Sequence, residues 1–563
     1  MNNKFVYFFK KSSVFRFFVF LLFFGGLAGV YLYILNLTVK RPHIFSVSPI
    51  IVNDGGEITV KGKNFGGKKF TSSWISFDDT VIQSESCLLW TDSEIKFICP
   101  DNKPAGLLTV VVQNKNSNPV FVAALAAIPV LRDGSRAGEA PLITSLDKTT
   151  AEVGSIIKIS GENFGNVRGS SQVVFVPNFG AGAASRIEAP DQKDVLEAAA
   201  CSEHDFDFVY WSNEELQVRV PDGADSGKIF VMTLGGVSNY AEFTLKNKIG
   251  SKTRSNKKTF TLFSEADVLN IRADEKNMMF LKMPLPVETY SQNGLDILSI
   301  LPPPLAKNYQ GVSIHQFENV DKNSKIHIRQ EYGINTYEIS TKVNPVNIRV
   351  NSQQNRDLYK AYTAATELIP ADDPLIRQTA AEIVQNERNP YNAAKKIYNY
   401  FLHNIEIIPM SILNAGSPLE KAIVHKKADT YDAALLFAAL VRAAGIPAEP
   451  IAGIVVDPFQ NSFLHWWAEF YIEGFGWIPV DIGMAKAIPF DIGFEQKETM
   501  YFGNLDAFRI AFSRGQSVFA PMALNSRVSA KERNYAFSTI WEETAGITDY
   551  TASWRIPEVI SVY

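Results

Sequence analysis

Cysteine is scarce in this sequence: three occur among 563 residues, at positions 87, 99 and 201. So small a number excludes a disulfide-dense scaffold. A charge excess of one sign is also lacking, because 55 basic residues face 59 acidic ones, and this balance gives no electrostatic reason to expect a nucleic acid as partner. The hydrophobic share of 46% excludes global disorder. The length predicts roughly three to five domains.

One long uncharged hydrophobic run lies near the amino terminus, from Phe17 to Leu37. At about 1.5 Å per residue it is long enough to cross a hydrocarbon core of about 30 Å as a helix. Basic residues precede it and favour a cytoplasmic tail over residues 1–16. The run is longer than the apolar part of a cleaved signal peptide, and no small-residue cleavage site follows it. The sequence therefore predicts a single-pass signal-anchor with the C-terminal bulk extracytoplasmic.

An internal repeat follows this run. Segments 42–66 and 141–165 align without gaps and both end in Gly-x-Asn-Phe-Gly, whereas the later matching segments place a 22-residue insertion in the second copy, within 166–206. Short β-prone runs between Gly, Asn and Asp in both copies predict two small β-sandwiches. The repeated motif is interpreted as a tight turn with positive φ at Gly and Asn, in preference to a ligand loop.

Both copies resemble IPT/TIG modules, which are immunoglobulin-like folds, over residues 42–125 and 141–246. The resemblance and the predicted export together favour a spacer or adhesion role. Cys87 and Cys99 flank a predicted hairpin turn, so a disulfide between them is feasible in an oxidising compartment. Cys201 has no evident partner and is expected to be a buried thiol. The polar stretches 131–140 and 246–258 are expected to be linkers.

The C-terminal half changes from β-like to helical periodicity. A β-rich segment is predicted over 259–350, and Asp373-Pro374 and Asn389-Pro390 each predict the capped start of a helix. A further helix, apolar on nearly every face, is predicted over 431–444 and belongs in the middle of a domain. Either Asp429 or Thr430 is expected to cap it.

Residues 463–483 predict two strands joined by a turn at 473–476. If Trp467 lies opposite Asp481, His465 becomes the diagonal neighbour of Asp481 on one face of the sheet. A histidine beside a carboxylate, facing the start of a buried helix, is the geometry of a thiol-hydrolase triad. A satisfied core histidine is the alternative interpretation of His465.

The region from about 355 to 485 resembles the transglutaminase-like superfamily, which has a papain-type arrangement. The sequence LLFAALVRAAGIPAEPIAG looks like the nucleophile helix and its exit, and HWWAEFYIEGFGWIPVD looks like the His-x-Trp strand followed by Gly-Trp-x-x-x-Asp. The resemblance implies that His465 is the general base and Asp481 its orienting carboxylate, with Trp467 and Trp477 supporting the cleft. The position of the family cysteine holds Thr430.

The loss of sulfur at this position decides the functional prediction. No cysteine occurs from residue 202 to the end of the chain, so a shifted thiol cannot replace the missing one. A threonine hydroxyl is far less acidic than a thiol of pKa about 8.5, and β-branching restricts its approach to a carbonyl. Threonine nucleophiles are known chiefly at chain N-termini, where a free amine is the base. A helix cap is the structural explanation of Thr430.

The predicted architecture is therefore multidomain: a transmembrane helix, two all-β sandwiches and an α+β transglutaminase-like core over 351–485, with a C-terminal β-rich extension over 486–563. We expect a non-catalytic domain that binds a peptide, protein or cell-envelope ligand. Two alternatives stay open: an amide hydrolase or acyltransferase that uses Thr430 or an activated water, and a mainly structural surface protein. No histidine, cysteine and carboxylate spacing predicts zinc, and no cofactor is expected.

Overall fold

The structure is a computed structural model of the whole chain, and two compact units, Met1–Ala127 and Ile128–Tyr563, are described separately below. It describes residues 20, 24, 26, 41–48, 51–52, 56–66, 72–77, 80–100, 105–113, 115–118, 120–124, 139–177, 198–246, 248–349, 355–409, 418–516, 519, 521–523, 526–537 and 540–563.

The first unit is a β-sandwich. Its strands are β1 (His43–Ser48), β2 (Ile51–Val52), β3 (Glu57–Lys63), β4 (Ser73–Phe77), β5 (Thr80–Gln83), β6 (Leu89–Trp90), β7 (Glu94–Ile98), β8 (Ala105–Val112), β9 (Lys115–Asn116) and β10 (Val120–Ala124). One sheet has the order β1-β3-β7-β6, and the other has the order β2-β10-β8-β4-β5 with β9 beside β8. Alternate residues such as Ile58 and Val60 face the core and are fully buried, as the period of a half-buried strand requires.

The second unit opens with a second sandwich. Its strands are β11 (Leu142–Leu146), β12 (Thr150–Ala151), β13 (Ile156–Glu162), β14 (Gln172–Pro177), β15 (Ala199–Ala200), β16 (Phe208–Trp211), β17 (Glu215–Arg219), β18 (Gly227–Thr233), β19 (Gly236–Val237) and β20 (Ala241–Leu245). Its sheets, β11-β13-β17-β16 and β12-β20-β18-β14-β15 with β19 beside β18, repeat the strand order of the first sandwich. The predicted internal repeat is therefore a repeat of topology.

The Gly-x-Asn-Phe-Gly motif begins in the last residues of β3 and β13, and the predicted positive φ occurs at its asparagine and its last glycine. Asn64 and Asn163 have φ values of 61° and 63°, a region that asparagine tolerates better than most residues. The first glycine of the motif has a packing role, because a Cβ on Gly161 would lie 2.0 Å from the carbonyl oxygen of Leu142. The greater part of the predicted insertion in the second copy, residues 178–197, lies outside the described residues.

The remaining chain forms a large antiparallel sheet and a layer in which helices pack on a second, smaller sheet. Its first elements are β21 (Gly250–Pro284), β22 (Gln292–Leu301), β23 (Ala306–Tyr309), β24 (Val312–Glu318), β25 (Ile326–Val343), α1 (Arg356–Thr363), α2 (Pro374–Val384), α3 (Pro390–Asn404), β26 (Glu406–Ile407), α4 (Lys421–His425), β27 (Lys427–Ala428) and α5 (Thr430–Ala443). Its later elements are β28 (Ala448–Val456), β29 (Ser462–Ile472), β30 (Gly476–Val480), α6 (Ile482–Ala485), α7 (Lys497–Met500), β31 (Arg509–Arg514), β32 (Arg527–Ala530), β33 (Trp541–Trp554) and β34 (Glu558–Val562).

The long strand β21 organises the large sheet. The sheet has the order β22-β25-β21-β24-β23, and β33 and β34 also pair with β21. The prediction of a linker over 246–258 was wrong from Gly250 onward, because that part pairs with β25. The basic residues there do not all face solvent: the Lys252 side chain is only 6% exposed and lies 2.6 Å from Asp222 of the second sandwich. The β-rich segment thus begins at 250 instead of 259.

The transglutaminase-like layer consists of α5 packed on the sheet β30-β29-β28-β31. Helices α2 and α3 begin where predicted, with Asp373 and Asn389 accepting hydrogen bonds from the first-turn amides. Helix α5 is buried from Thr430 to Arg442, as its uniformly apolar sequence predicted. The β-rich extension predicted over 486–563 contributes strands to both sheets, because β31 completes this sheet and β32 to β34 join the large one.

Two predicted segments, residues 1–37 and the linker 131–140, lie mostly outside the described residues. The predicted cytoplasmic tail and anchor, residues 1–37, lie outside the described residues apart from Phe20, Phe24 and Gly26. Among the helices that the structure describes, none combines the length and the apolar character needed to cross a bilayer. The interdomain linker 131–140 likewise lies outside the described residues except for its last two positions.

The cysteines are buried thiols in this structure. The suggested disulfide between Cys87 and Cys99 is not formed. Instead, Cys87 Sγ lies 3.6 Å from the carbonyl oxygen of Gln83, and Cys99 Sγ lies 3.7 Å from that of Pro100. The register differs from the predicted one, because Leu89 pairs with Lys96 and the same ladder, extended, would set Cys87 opposite Ile98 instead of Cys99. The expectation for Cys201 is confirmed: it is buried and contacts the carbonyl oxygen of Arg219.

Candidate active site

His465 and Asp481 form a hydrogen-bonded pair in the interior of the transglutaminase-like layer. His465 Nε2 lies 2.8 Å from Asp481 Oδ2, and both side chains are fully buried. The register of the strands accounts for this contact: Ala468 pairs with Val480 at the end of the ladder, so the next position sets Trp467 opposite Asp481. His465 is then diagonal to Asp481 on the same face. The contact predicted from strand alternation is confirmed.

The other ring nitrogen of His465, Nδ1, is buried and has no hydrogen-bond partner among the described residues. With Asp481 accepting the proton on Nε2, Nδ1 is the basic nitrogen, which is the tautomer required of a general base. The pair therefore keeps the orientation of an acid–base couple.

Asp481 is held by three groups. Its Oδ1 accepts a hydrogen bond from the Met484 amide at 2.9 Å, so it also caps α6, and its Oδ2 accepts from His465 and from Arg509 Nη1. Burial alone would raise the pKa of this carboxyl, but its interactions with His465 and with the Arg509 guanidinium outweigh burial and lower its pKa to about 2. Asp481 is therefore ionised at neutral pH.

Arg509 belongs to a second ion pair, which the sequence interpretation missed. Its guanidinium, 3% exposed, also binds the carboxylate of Asp506, and Tyr501 donates a hydrogen bond of 2.9 Å to that same carboxylate. Because Arg509 follows Asp481 by 28 residues and lies on β31, which the family motif does not include, no local pattern pointed to it. Its place at the start of the strand-like run RIAFSR was the available sequence signal.

Thr430 stands at the first residue of α5, close to the histidine. A Cβ added to Gly483 would lie 2.5 Å from Thr430 Cγ2 and 2.8 Å from His465 Cε1, so both side chains pack against one backbone position. No hydrogen bond joins the Thr430 hydroxyl to His465 Nδ1, because that nitrogen has no partner among the described residues. The structure therefore brings Thr430, His465 and Asp481 close together, but no hydrogen bond links Thr430 to His465.

The cap of α5 is Asp429, so the suggestion that Thr430 performs this role was wrong. The Asp429 carboxylate accepts a hydrogen bond of 2.8 Å from the Asp432 amide. Arg533, from the segment after β32, binds both acidic residues, with Nη1 at 2.7 Å from Asp429 and Nη2 at 2.5 Å from Asp432. Its guanidinium carbon also lies 4.5 Å from the centre of the Tyr431 ring. Arg533 therefore clamps the first turn of the helix.

The two predicted cleft tryptophans occupy different places. Trp467 supports the pair, because its ring stacks on His465 at a centroid distance of 6.2 Å and faces Arg509 at 5.3 Å. Trp477 lies farther along the sheet, where its Nε1 donates a hydrogen bond of 2.9 Å to Asp205 of the second sandwich. Its role is to attach that sandwich. In the described part of the chain, no set of three His, Cys, Asp or Glu side chains could hold a metal ion.

Comparisons with known proteins agree with this geometry. Residues 377–482 match the family model of the transglutaminase-like superfamily, and residues 42–124 match that of the IPT/TIG domain. The chain therefore contains a transglutaminase-like domain and, ahead of it, an IPT/TIG domain. The second sandwich shares the strand order of the first.

One curated protein and several solved structures are also similar to this chain. An uncharacterised protein of Haemophilus influenzae is 30% identical over 186 residues, which is 28% of this chain and 50% of that protein, so the chain spans about half the length of the curated relative it matches. A provisionally assigned cysteine protease of Cytophaga hutchinsonii gives a TM-score of 0.36 at 16% identity, over 55% of this chain and 92% of that one. The periplasmic domain of TgpA from Pseudomonas aeruginosa gives 0.24 at 13%, over 42% and 88%.

Proposed function

We propose that this chain is an extracytoplasmic protein, attached to the membrane by residues 17–37, whose transglutaminase-like domain binds a peptide, protein or cell-envelope ligand without converting it. One observation carries the proposal: Thr430 stands where the family has its nucleophile, and its hydroxyl makes no hydrogen bond to His465. Hydroxyl attack needs a base within hydrogen-bond reach to remove the proton as the new bond forms. The catalytic step lacks that contact here.

The burial of the site supports the same proposal. His465 and Asp481 are fully buried and Thr430 is 6% exposed. The segment that contains Arg533 helps to shield these residues from solvent. Within it, Phe537 packs on Tyr431, and the backbone of Asn534 accepts a hydrogen bond from Trp466. A substrate carbonyl has to reach within about 3.5 Å of its nucleophile. Such an approach would require the segment that contains Arg533 to move away from the site.

A second candidate function is amide hydrolysis or acyl transfer by Thr430 or by an activated water. It is favoured by the unoccupied Nδ1 of His465, which retains the capacity to accept a proton. In that case His465→Ala would remove a pH-dependent activity of the parent protein. The first proposal expects no activity to remove.

The test introduces the missing sulfur with Thr430→Cys in the full-length chain. If His465 retains its geometry, it will stabilise the thiolate. The pKa of the new thiol should then lie about one to several units below the ordinary value of about 8.5. The pKa is measured by thiolate ultraviolet absorbance and by the pH dependence of iodoacetamide labelling. Thr430→Cys combined with His465→Ala is the matched control, and an ordinary thiol pKa is expected there.

One outcome would contradict the proposal: turnover of amide or ester substrates by the parent protein that disappears in Thr430→Ala. An equal thiol pKa with and without His465 would instead contradict the premise that the pair faces residue 430.

A further inference from the structure

One lysine–carboxylate ion pair is buried between the second sandwich and the large sheet. Lys252 Nζ, on β21, lies 2.6 and 2.7 Å from the two oxygens of Asp222, which follows β17 in the second sandwich. The two side chains are 6% and 10% exposed. In every other lysine–carboxylate pair of the described residues, the lysine side chain is at least 28% exposed. Water therefore has little access to this pair.

The surroundings of the pair hold its two groups in place. The Lys252 ammonium also donates to the carbonyl oxygen of Trp477 and lies 5.0 Å from the centre of the Tyr290 ring. Asp222 packs so closely on β30 that a Cβ on Gly476 would lie 1.9 Å from its Oδ1. Because Nζ contacts both carboxylate oxygens, the carbon between them lies at about 3 Å, the separation from which an amine can attack. Rotation of the carboxyl plane presents the face of that carbon to the nitrogen.

A third carboxyl, that of Glu469, lies on the same wall. It lines the same cavity of about 1210 Å³ as the ion pair, and the register of β29 with β30 sets it diagonal to Trp477, whose carbonyl binds Lys252. Burial raises the pKa of Glu469 to about 7, against the charge of Arg514 at 3.8 Å. The charges of Lys252 and Asp222 also shift its pKa, in opposite directions. At neutral pH this carboxyl can therefore both accept and donate a proton.

We infer that Lys252 and Asp222 condense into an intramolecular isopeptide bond, with Glu469 as the proton carrier. The ammonium first transfers a proton to the Asp222 carboxylate, which leaves a neutral amine and a neutral carboxylic acid. The amine nitrogen then attacks Cγ. Glu469 takes the proton that the nitrogen loses and returns it to the departing hydroxyl, which leaves as water. One ammonium and one carboxylate thus become one amide and one water, without an oxidant or a reductant.

Two physical reasons favour the amide over the ion pair. Groups that a fold holds in reacting geometry have effective molarities of up to about 10⁵–10⁸ M, and this offsets the preference of dilute amines and acids in water to stay separate. Condensation also removes two buried charges, whose loss of hydration weighs against a buried ion pair. The cavity beside the pair has room for the released water.

The bond joins the second sandwich to the first strand of the large sheet. Its two residues are 30 positions apart, and the loop that it closes contains β18, β19 and β20. A cross-link of this kind restricts the unfolded chain and so favours the folded state. The inference goes beyond the proposed function, because covalent attachment of the sandwich does not depend on whether the transglutaminase-like domain converts a ligand.

The test is peptide mass spectrometry of the full-length chain after digestion with trypsin. We expect a branched peptide in which residues 220–228 are joined to residues 249–254, with a mass lower by one water molecule than the sum of the two. Cleavage after Lys252 should be absent, because acylation removes the positive charge that trypsin recognises. The corresponding linear peptides should be absent as well.

Three variants assign the roles of the residues. Lys252→Arg keeps a positive charge beside Asp222 but lacks a nucleophilic amine, so it should yield linear peptides only. Lys158→Arg is the matched control at an exposed ion pair with Glu215, and it should leave the branched peptide unchanged. Glu469→Gln should slow formation of the bond at least about tenfold, since proton transfer by a positioned side chain typically contributes about 10²–10⁴-fold.

Two results on the parent protein would overturn the inference, and neither depends on the folding of a variant. One is a digest that contains only the linear peptides. The other is a loss of water confined to residues 220–228 without a link to residues 249–254, which would be a cyclic imide at Asp222-Gly223. An unchanged rate in Glu469→Gln would overturn the role of Glu469 as the proton carrier. Because none of these measurements uses an amide substrate, failure here is distinct from failure of the proposed function.

Discussion

The two oxygens of Asp481 connect the pair to the surrounding fold. Oδ1 accepts from the Met484 amide, which begins α6, and Oδ2 is shared by His465 and Arg509. Because Arg509 also binds Asp506, one buried guanidinium neutralises two buried carboxylates. Such an arrangement costs stability when a single partner is removed, since the remaining charges lose their compensation.

Replacing this guanidinium by Arg509→Met should lower the free energy of unfolding by about 3–5 kcal/mol. The reason is that Asp481 and Asp506 would both stay buried without a cation. Urea unfolding monitored by tryptophan fluorescence measures the change. Arg272→Met is the control, because Arg272 is 70% exposed and lies 3.8 Å from its carboxylate partner, and a change below about 0.5 kcal/mol is expected there. A loss below about 1 kcal/mol for Arg509→Met would contradict this account.

At the scale of single residues, the sequence predicted the relative positions that strand alternation determines. His465, Trp467 and Asp481 were placed correctly, since their relative positions depend only on the period of two and on the turn at 473–476. Arg509 could not be found in the same way. It reaches Asp481 from a strand that the sequence did not associate with the motif, and its side chain is buried only because of that long-range contact.

At the scale of the element, the first turn of α5 is the decisive structure. Asp429 supplies the cap, and Asp432 lies in the same turn. Burial, together with the charge of Asp432, raises the pKa of Asp429 to about 6, although Arg533 opposes this. A carboxyl whose pKa is higher in the folded state favours folding less as the pH rises from about 4 to about 6. Arg533 limits that loss.

Removing the clamp with Arg533→Ala should therefore destabilise the protein more at high pH than at low pH. We expect a loss of about 1–3 kcal/mol near pH 8, where Asp429 is charged, and a smaller loss near pH 5, where Asp429 is protonated. Thermal unfolding at the two pH values measures the difference. Arg533→Lys keeps the charge but cannot contact both carboxylates as a fork, so an intermediate loss is expected. An equal loss at both pH values would argue against the clamp.

Most elements were predictable because their signals are local. Asp373-Pro374 and Asn389-Pro390 mark helix starts through capping chemistry, and the repeated Gly-x-Asn-Phe-Gly marks the same turn in both sandwiches. The stretch over 246–258 was misinterpreted because a basic run resembles a solvated linker. Only the fold reveals that Lys252 is buried against Asp222.

At the scale of the second unit, the attachment of the second sandwich to the transglutaminase-like layer depends on Glu449. Both its oxygens lie 2.9 Å from His204 Nε2, and Arg514 is 2.8 Å away. Tyr362 adds a hydrogen bond to the carbonyl oxygen of His204. Nothing in the sequence connects residue 204 with residue 449, so this contact was not predicted. The attachment is built from long-range charge pairs.

The variant Glu449→Gln should weaken this attachment and lower the free energy of unfolding by about 3–5 kcal/mol at neutral pH. The pKa of Glu449 is about 2 in the folded protein, below its unfolded value of about 4.3. Its contribution is therefore present above about pH 4 and lost as the pH falls toward 2, and the variant should lack that part of the acid sensitivity.

Scanning calorimetry as a function of pH measures both effects. A separate transition for the second sandwich is expected in Glu449→Gln. Glu152→Gln serves as the control, because Glu152 pairs with the half-exposed Lys248 and should change stability by less than about 1 kcal/mol. Identical pH profiles for the parent protein and Glu449→Gln would contradict this interpretation.

The most direct test of the central claim is mass spectrometry of the intact full-length protein after incubation with activated acyl donors, in parallel for the parent protein and Thr430→Cys. We predict an unmodified parent protein and, in Thr430→Cys, an acyl adduct at residue 430 whose formation requires His465. An acyl ester on Thr430 of the parent protein, formed and released with multiple turnovers, would contradict the account.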